Sequence, residues 1–247
     1  MFKVGDYVTR KKYGNDIVFK IKEIKDNTVI LCGVDLRLYA DSSYDDLVLS
    51  TISKKKEEIE VVRKINTNDF FFIPGTIVQI DSDKEYLLKC LNYYKKNKLK
   101  CNGYVFEEKK YKNEVIKIID KNKPKIVVIT GHDAYYKKED KYRNSKYYIE
   151  TVNEIRKKYN NEIIVIAGAC QSDFEGLIKA GSTYASSPKH INVHALDPAI
   201  IATYIALTNI TETVDLRDIL SKTKSGFGGF GGIKTFGTML SGFPRKE

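Results

Sequence analysis

Tryptophan is missing from the 247 residues, and methionine (2), histidine (3), cysteine (4) and proline (5) are scarce. Each scarcity closes off a class. Cys32, Cys90, Cys101 and Cys170 are too few and too scattered for a disulfide framework, and no CxxC pair marks a zinc site. No apolar run approaches the ~18 residues that a membrane span needs. The first residues, Met1-Phe2-Lys3-Val4-Gly5-Asp6, lack the apolar core of a secretory leader, so the expected location is the cytoplasm.

What is present is a globular mixture, 42% hydrophobic and 30% charged. A chain of this length suits one large α/β domain, or one domain plus a small module. The net charge of +10 is uneven: residues 73–167 carry 21 basic and 13 acidic groups, while the flanking parts are each near +1. A basic middle invites a nucleic-acid reading, with salt-dependent binding. Its lysines, however, sit at helix ends and turns, as in Lys95-Lys96-Asn97-Lys98, and RNP-type aromatic motifs are missing. A solvated Lys-rich surface is the plainer reading, and nucleic-acid binding is the alternative function.

Residues 1–52 read as short strands, Val4–Arg10, Ile17–Ile24, Thr28–Cys32 and Leu36–Ala40, separated by turns, which predicts a small SH3-like β-barrel. Residues 53–72 form a charged linker containing Lys54-Lys55-Lys56 and Arg63-Lys64. Strand–helix alternation fills 73–222. Strands are predicted at Thr76–Ile80, Gly103–Phe106, Ile126–Ile129, Ile163–Ala167 and Thr183–Ala185. The helices between them begin near Ser82–Asp83, Asn113, Arg143, Phe174 and Asp197, the first with Leu87, Leu88, Leu91 and Tyr94 on one face. Short Val/Ile runs between amphipathic helices predict a mainly parallel sheet covered on both faces. Residues 223–247, with Gly226-Phe227-Gly228-Gly229-Phe230-Gly231-Gly232, match no phosphate-binding motif and read as a flexible Gly-rich tail.

In open parallel sheets, sites lie outside the carboxyl ends of the strands. Two such ends carry reactive side chains: His132 after the third strand and Cys170 after the fourth. A thiol beside an imidazole is the minimal unit of thiolate catalysis. A lone cysteine is ordinarily a small buried hydrophobe, and Cys32, Cys90 and Cys101 read that way. Cys170 precedes a helix whose first turn would hold Ser172 and Asp173, so a helix dipole is expected to favour its thiolate. The backbone N–H groups of Cys170 and Gly131 are the candidate oxyanion donors. Asp133, Asp173, Asp197, His194 and Ser186 are candidates for lining a substrate pocket, and His190 reads as surface.

The stretches VGDYVTRKKYGNDIVFKI, GYVFEEKK, ITGHDAYYK, YRNSKYYIETV, AGACQSDFEGLIKAG and YASSPKHINVHALDP resemble the YabG family of sporulation-specific proteases. They span nearly the whole chain. The resemblance implies a cysteine endopeptidase that processes spore coat and related spore proteins, with His132 and Cys170 as its essential residues. It implies cleavage after basic residues, association with the spore coat, and no metal or organic cofactor. Such an enzyme would also cut itself in the basic linker. The strand-His … strand-Ala-Cys pattern is more distantly similar to the caspase, gingipain and legumain clan. The expected fold is therefore a caspase-like α/β domain behind a small β-barrel.

Overall fold

The computed structural model describes residues 2–26, 28–50 and 70–244. The chain divides into two units, Met1–Glu58 and Ile59–Glu247. The basic linker stretches Lys54-Lys55-Lys56 and Arg63-Lys64 lie outside the described residues.

In the N-terminal unit, strands β1 (Tyr7–Arg10), β2 (Phe19–Lys25), β3 (Thr28–Gly33), β4 (Tyr39–Ser43) and β5 (Leu47–Leu49) build one antiparallel sheet. Its order is β4-β3-β2-β1-β5. Alternation of apolar and polar residues buries Val8, Phe19, Ile21, Val29, Leu31 and Leu47 on one side. Among the described residues no pairing joins the edge strands β4 and β5. The antiparallel strands expected from the sequence are thus present, and their described pairings form an open five-stranded order.

In the second unit the first described strand is β6 (Phe71–Ile73), followed by β7 (Ile77–Asp81), α1 (Lys84–Lys96) and β8 (Cys101–Val105). Next come α2 (Tyr111–Asn122), β9 (Ile126–Ile129), a hairpin of β10 (Tyr135–Tyr136) and β11 (Lys141–Tyr142), and α3 (Ser145–Tyr159). The chain continues through β12 (Ile164–Ala167), α4 (Phe174–Lys179), β13 (Tyr184–Ser186) and α5 (Asp197–Ala206). It closes with α6 (Leu216–Ser221), α7 (Gly226–Gly229), β14 (Phe230–Gly232) and β15 (Leu240–Gly242). The large sheet runs β14-β13-β12-β9-β7-β8, parallel throughout except for β14.

Period-two alternation divides the sheet residues between two cores. Ile77, Ile126, Val128, Ile164 and Ile166 face α1, α5 and α6, whereas Val78, Ile80, Val127, Ile129 and Val165 face α2 and α3. Helix α1 buries Tyr86, Leu87, Cys90, Tyr93 and Tyr94. Leu88, read from the sequence as part of that face, is 47% exposed. The tyrosines at the i+3 and i+4 positions outweigh it, because their larger area sets which stripe turns inward.

The Gly-rich end is not a free tail. Residues 230–232 add β14 antiparallel to β13, and Phe230 is buried against the α5 side of the sheet. Further on, β15 pairs with β6. The glycines fit because the sheet edge is crowded: a Cβ at Gly232 would press on Tyr184, and one at Gly231 on Phe174.

Candidate active site

The first strand of the sheet, β7, lies between β8 and β9, so the strand order reverses there. At such a switch point the two following loops diverge and leave a crevice at the carboxyl ends. These loops are Asp81-Ser82-Asp83 and Thr130-Gly131-His132. His132 stands inside that crevice with its side chain 17% exposed.

Three side chains surround its ring. Ser82 Oγ lies 3.2 Å from Nδ1, Glu108 Oε1 lies 3.9 Å from Nδ1, and Asp83 Oδ2 lies 3.9 Å from Nε2. The backbone is fixed as firmly. His132 N–H donates to Glu108 Oε1 at 3.0 Å, and its carbonyl accepts from Asn144 Nδ2 and Tyr148 Oη. Burial, with Tyr111 and Glu108 adding to it, holds the Tyr148 phenol well above the ordinary tyrosine range, so it remains a donor. Gly131 permits this convergence. A Cβ there would sit 2.7–2.9 Å from Tyr148 Oη, Glu108 Oε1 and Ser82 Oγ.

Register relates His132 to Cys170. Strands β9 and β12 are adjacent and parallel, with Ala167 opposite Ile129. Each reactive residue is therefore the third beyond a shared rung, on strands spaced ~4.8 Å apart. Cys170 is 1% exposed, and its sulfur accepts the Val193 N–H at 3.1 Å. The adjacent segment is tied down as well, since Gln171 N–H donates to the Ile191 carbonyl. The expected helix dipole does not operate at this cysteine. Helix α4 has only six residues and begins at Phe174, because Asp173 caps it through Gly176 N–H.

The proposed pocket residues hold distinct places. Asp133 is buried and accepts from Ala134 N–H, Asn144 N–H, Ser145 Oγ and Ser172 Oγ. Burial raises its pKa above the usual aspartate range, and those four hydrogen bonds oppose the shift. Asp197 is buried too, accepting from Lys224 and Ser225 N–H at 2.6 and 3.0 Å. Burial likewise pushes its carboxyl up, while these bonds and the nearby His194 pull it down. His194 Nδ1 accepts from Leu196 N–H at the start of α5, and Ser186 Oγ donates to the Ala169 carbonyl. His190 is exposed and stacks on Tyr135 and Tyr142 of the hairpin. Asp133 and Asp197 thus serve as internal struts, and Asp173 keeps the more open position.

Ser82, Asp83 and Glu108 were not among the site residues read from the sequence. Asp83 had a signal: an acid at the carboxyl end of a strand, where it reads as a helix cap. It does cap α1, through Oδ1 to Glu85 and Tyr86 N–H. Glu108 carries no such signal, since it reaches the site from the turn after the edge strand β8. Among the described residues, no group of three or more His, Cys, Asp or Glu side chains is placed to hold a metal ion.

Gly168 also shapes this rim. Its φ is +111°, and a Cβ there would collide with Ser186 Oγ. Gly168→Ala is expected to cost about 2 kcal/mol or more, from backbone strain and the lost Ser186–Ala169 bond. Thermal unfolding of the purified variant checks this, and an unchanged midpoint would refute it.

The family model for YabG peptidase U57 matches residues 3–66 and 49–244. The chain is 38% identical over 287 aligned positions to the sporulation-specific protease YabG of Bacillus subtilis (strain 168), covering 100% of this chain and 99% of that protein. A solved structure of the RcsB response regulator from Salmonella typhimurium is similar with a TM-score of 0.32 and 9% identity. That likeness covers 44% of this chain and 50% of the regulator.

Proposed function

The chain belongs to the YabG peptidase family, and from that premise we propose a cysteine endopeptidase acting during sporulation on spore coat and related proteins. Cys170 is the nucleophile and His132 its acid–base partner. The observation that carries this reading is the shared rung. Ile129 and Ala167 pair on neighbouring parallel strands, and His132 and Cys170 each follow that pair by three residues, beside the topological switch point, which supports the reading.

The chemistry follows in balanced steps. His132 takes the thiol proton, and the Cys170 sulfur bonds to the scissile carbonyl carbon. The carbonyl oxygen becomes an oxyanion facing the backbone N–H groups of Gly131 and Cys170. The C–N bond breaks as His132 returns the proton to the leaving amine. Water then hydrolyses the thioester and regenerates the thiol. With Cys170 1% exposed and the Val193 N–H on its sulfur, a peptide reaches the sulfur only after local rearrangement. In this reading the N-terminal sheet is an SH3-like module and the parallel sheet is caspase-like.

Cleavage after Lys or Arg is part of the proposal. The acid best placed to receive such a side chain is the more open Asp173, since Asp133 and Asp197 are buried and hydrogen-bonded internally. Incubating the protein with spore coat extract, with and without a thiol alkylator, and mapping new termini by mass spectrometry tests it. New termini should follow Lys or Arg and vanish on alkylation. Cuts without basic enrichment would refute the specificity, and cuts indifferent to alkylation would refute the thiol mechanism. Intact mass in the same samples reports self-cleavage near Lys54-Lys55-Lys56 or Arg63-Lys64.

A further inference from the structure

We propose that Glu108 and Ser82 are positioning residues that lock neutral His132 in its Nδ1–H form, leaving Nε2 as the atom that exchanges the proton. The catalytic consequence rests on the cysteine-peptidase reading above, whereas the tautomer itself follows from geometry.

Glu108 Oε1 lies 2.6 Å from Ser82 Oγ and 3.0 Å from the backbone nitrogen of His132. An ionised carboxylate only accepts hydrogen bonds, so the single hydroxyl proton of Ser82 goes to Glu108. Ser82 Oγ is also 3.2 Å from His132 Nδ1. With its proton turned toward Glu108, the oxygen offers Nδ1 a lone pair, and Nδ1 must be the donor. A neutral imidazole has one N–H, so the basic lone pair sits on Nε2.

Asp83 completes the arrangement. Its Oδ2 faces Nε2 at 3.9 Å, while Oδ1 is held at 2.7 Å by Glu85 N–H. The carboxylate cannot swing away without uncapping α1. When Nε2 gains a proton, the positive charge appears between two fixed acids, Asp83 and Glu108. The other ionisable groups around the ring are the Tyr86 phenol, its ring 5.8 Å away, and Tyr148, whose hydroxyl bonds the His132 carbonyl. Asp81 and Asp133 lie beyond them, engaged by Thr130 and by Ser145 and Ser172 respectively. During turnover Nε2 would accept the Cys170 proton and release it to the leaving amine, with Nδ1–H anchored on Ser82 throughout.

The test is nitrogen NMR on the full-length protein with labelled histidine, for which only His132, His190 and His194 need assignment. Wild type should show the Nδ1–H pattern for neutral His132. Glu108→Ala removes the acceptor of the Ser82 proton, which can then turn to Nδ1, so this variant should move toward Nε2–H. Ser82→Ala should give a tautomer mixture, and Ser82→Thr should restore Nδ1–H. In turnover, Glu108→Ala and Ser82→Ala should lower kcat about 10- to 100-fold with little change in KM, a part of the ~10²–10⁴ available from acid–base catalysis. Loss of the Glu108 charge should also shift the alkaline limb of the kcat/KM profile to lower pH, and Ser82→Thr should recover kcat. An Nε2–H pattern in wild type, or variants that keep both tautomer and kcat, would overturn the proposal. A tautomer that moves without loss of kcat would overturn its catalytic part. If Cys170→Ala stays active while the NMR result holds, the cysteine mechanism fails and the tautomer lock stands.

Discussion

Cys170→Ala is expected to lower peptide-bond cleavage by ~10⁴ or more, because in the proposed mechanism it removes the atom that forms the acyl intermediate. His132→Ala should cost a comparable amount. The double variant should lose little beyond either single, since a nucleophile and its base act as one unit. Cys32, Cys90 and Cys101 give the contrast. Cys90 is fully buried against Ala195. Burial, reinforced by the neighbouring Cys90, pushes the Cys101 thiol up to about 12, so it stays protonated and unreactive near neutral pH. Replacing any of these three by Ser should therefore leave turnover within a few-fold of wild type. Alkylation that stops turnover should map to Cys170. Cleavage assays on the four variants, with circular dichroism to establish folding, decide the matter. A folded Cys170→Ala protein that cuts at a near-normal rate would remove the cysteine mechanism and assign the cleavage to another nucleophile.

Asp133→Ala should produce the largest loss of stability away from the hydrophobic cores. Its carboxylate gathers four donors: two backbone N–H groups, at Ala134 and Asn144, and the hydroxyls of Ser145 and Ser172. Removing it leaves buried donors unpaired, each costing ~1–3 kcal/mol, so a total of about 3 kcal/mol or more is expected. Because Ser172 also accepts the Ala169 N–H, the loop carrying Cys170 should loosen and activity should fall with stability. Asp133→Asn separates charge from hydrogen bonding. The carboxyl has a raised pKa in the folded state, owing first to burial. Its contribution to stability is therefore full below the unfolded value of ~3.9 and is lost as pH rises through the higher folded value. The Asn variant lacks this decline. Its stability relative to wild type should improve between about pH 4.5 and pH 7.5, measured by urea unfolding at both. A wild-type-minus-Asn difference that does not change with pH would refute this account.

Strand–helix alternation was readable because Val/Ile runs bounded by Pro124, Gly181 and polar caps leave little choice of local structure. Thus β9 and β12 fall where the apolar runs lie, and α5 starts at Asp197-Pro198. The same logic identified His132 and Cys170, since reactive side chains directly after buried strands are visible in a one-dimensional reading. Periodicity was less decisive where two stripes competed, as for Leu88 against the tyrosines of α1. It failed for the Gly-rich end, whose strand has no pattern of its own and exists because β13 offers an open edge.

By itself, then, the sequence determined the main strands and helices of the parallel sheet and singled out His132 and Cys170 as candidates, all properties set by local pattern and by strand ends. Only the tertiary structure decided what surrounds them. Glu108 lies 24 positions and Ser82 50 positions from His132, yet both reach its ring or backbone. Asp133 and Asp197, pocket candidates by sequence, are buried and take hydrogen bonds from segments up to 39 positions away. The physical reason is common to both outcomes. A buried polar side chain takes its role from the partners that satisfy it, and the fold supplies those partners across separations that no local pattern encodes.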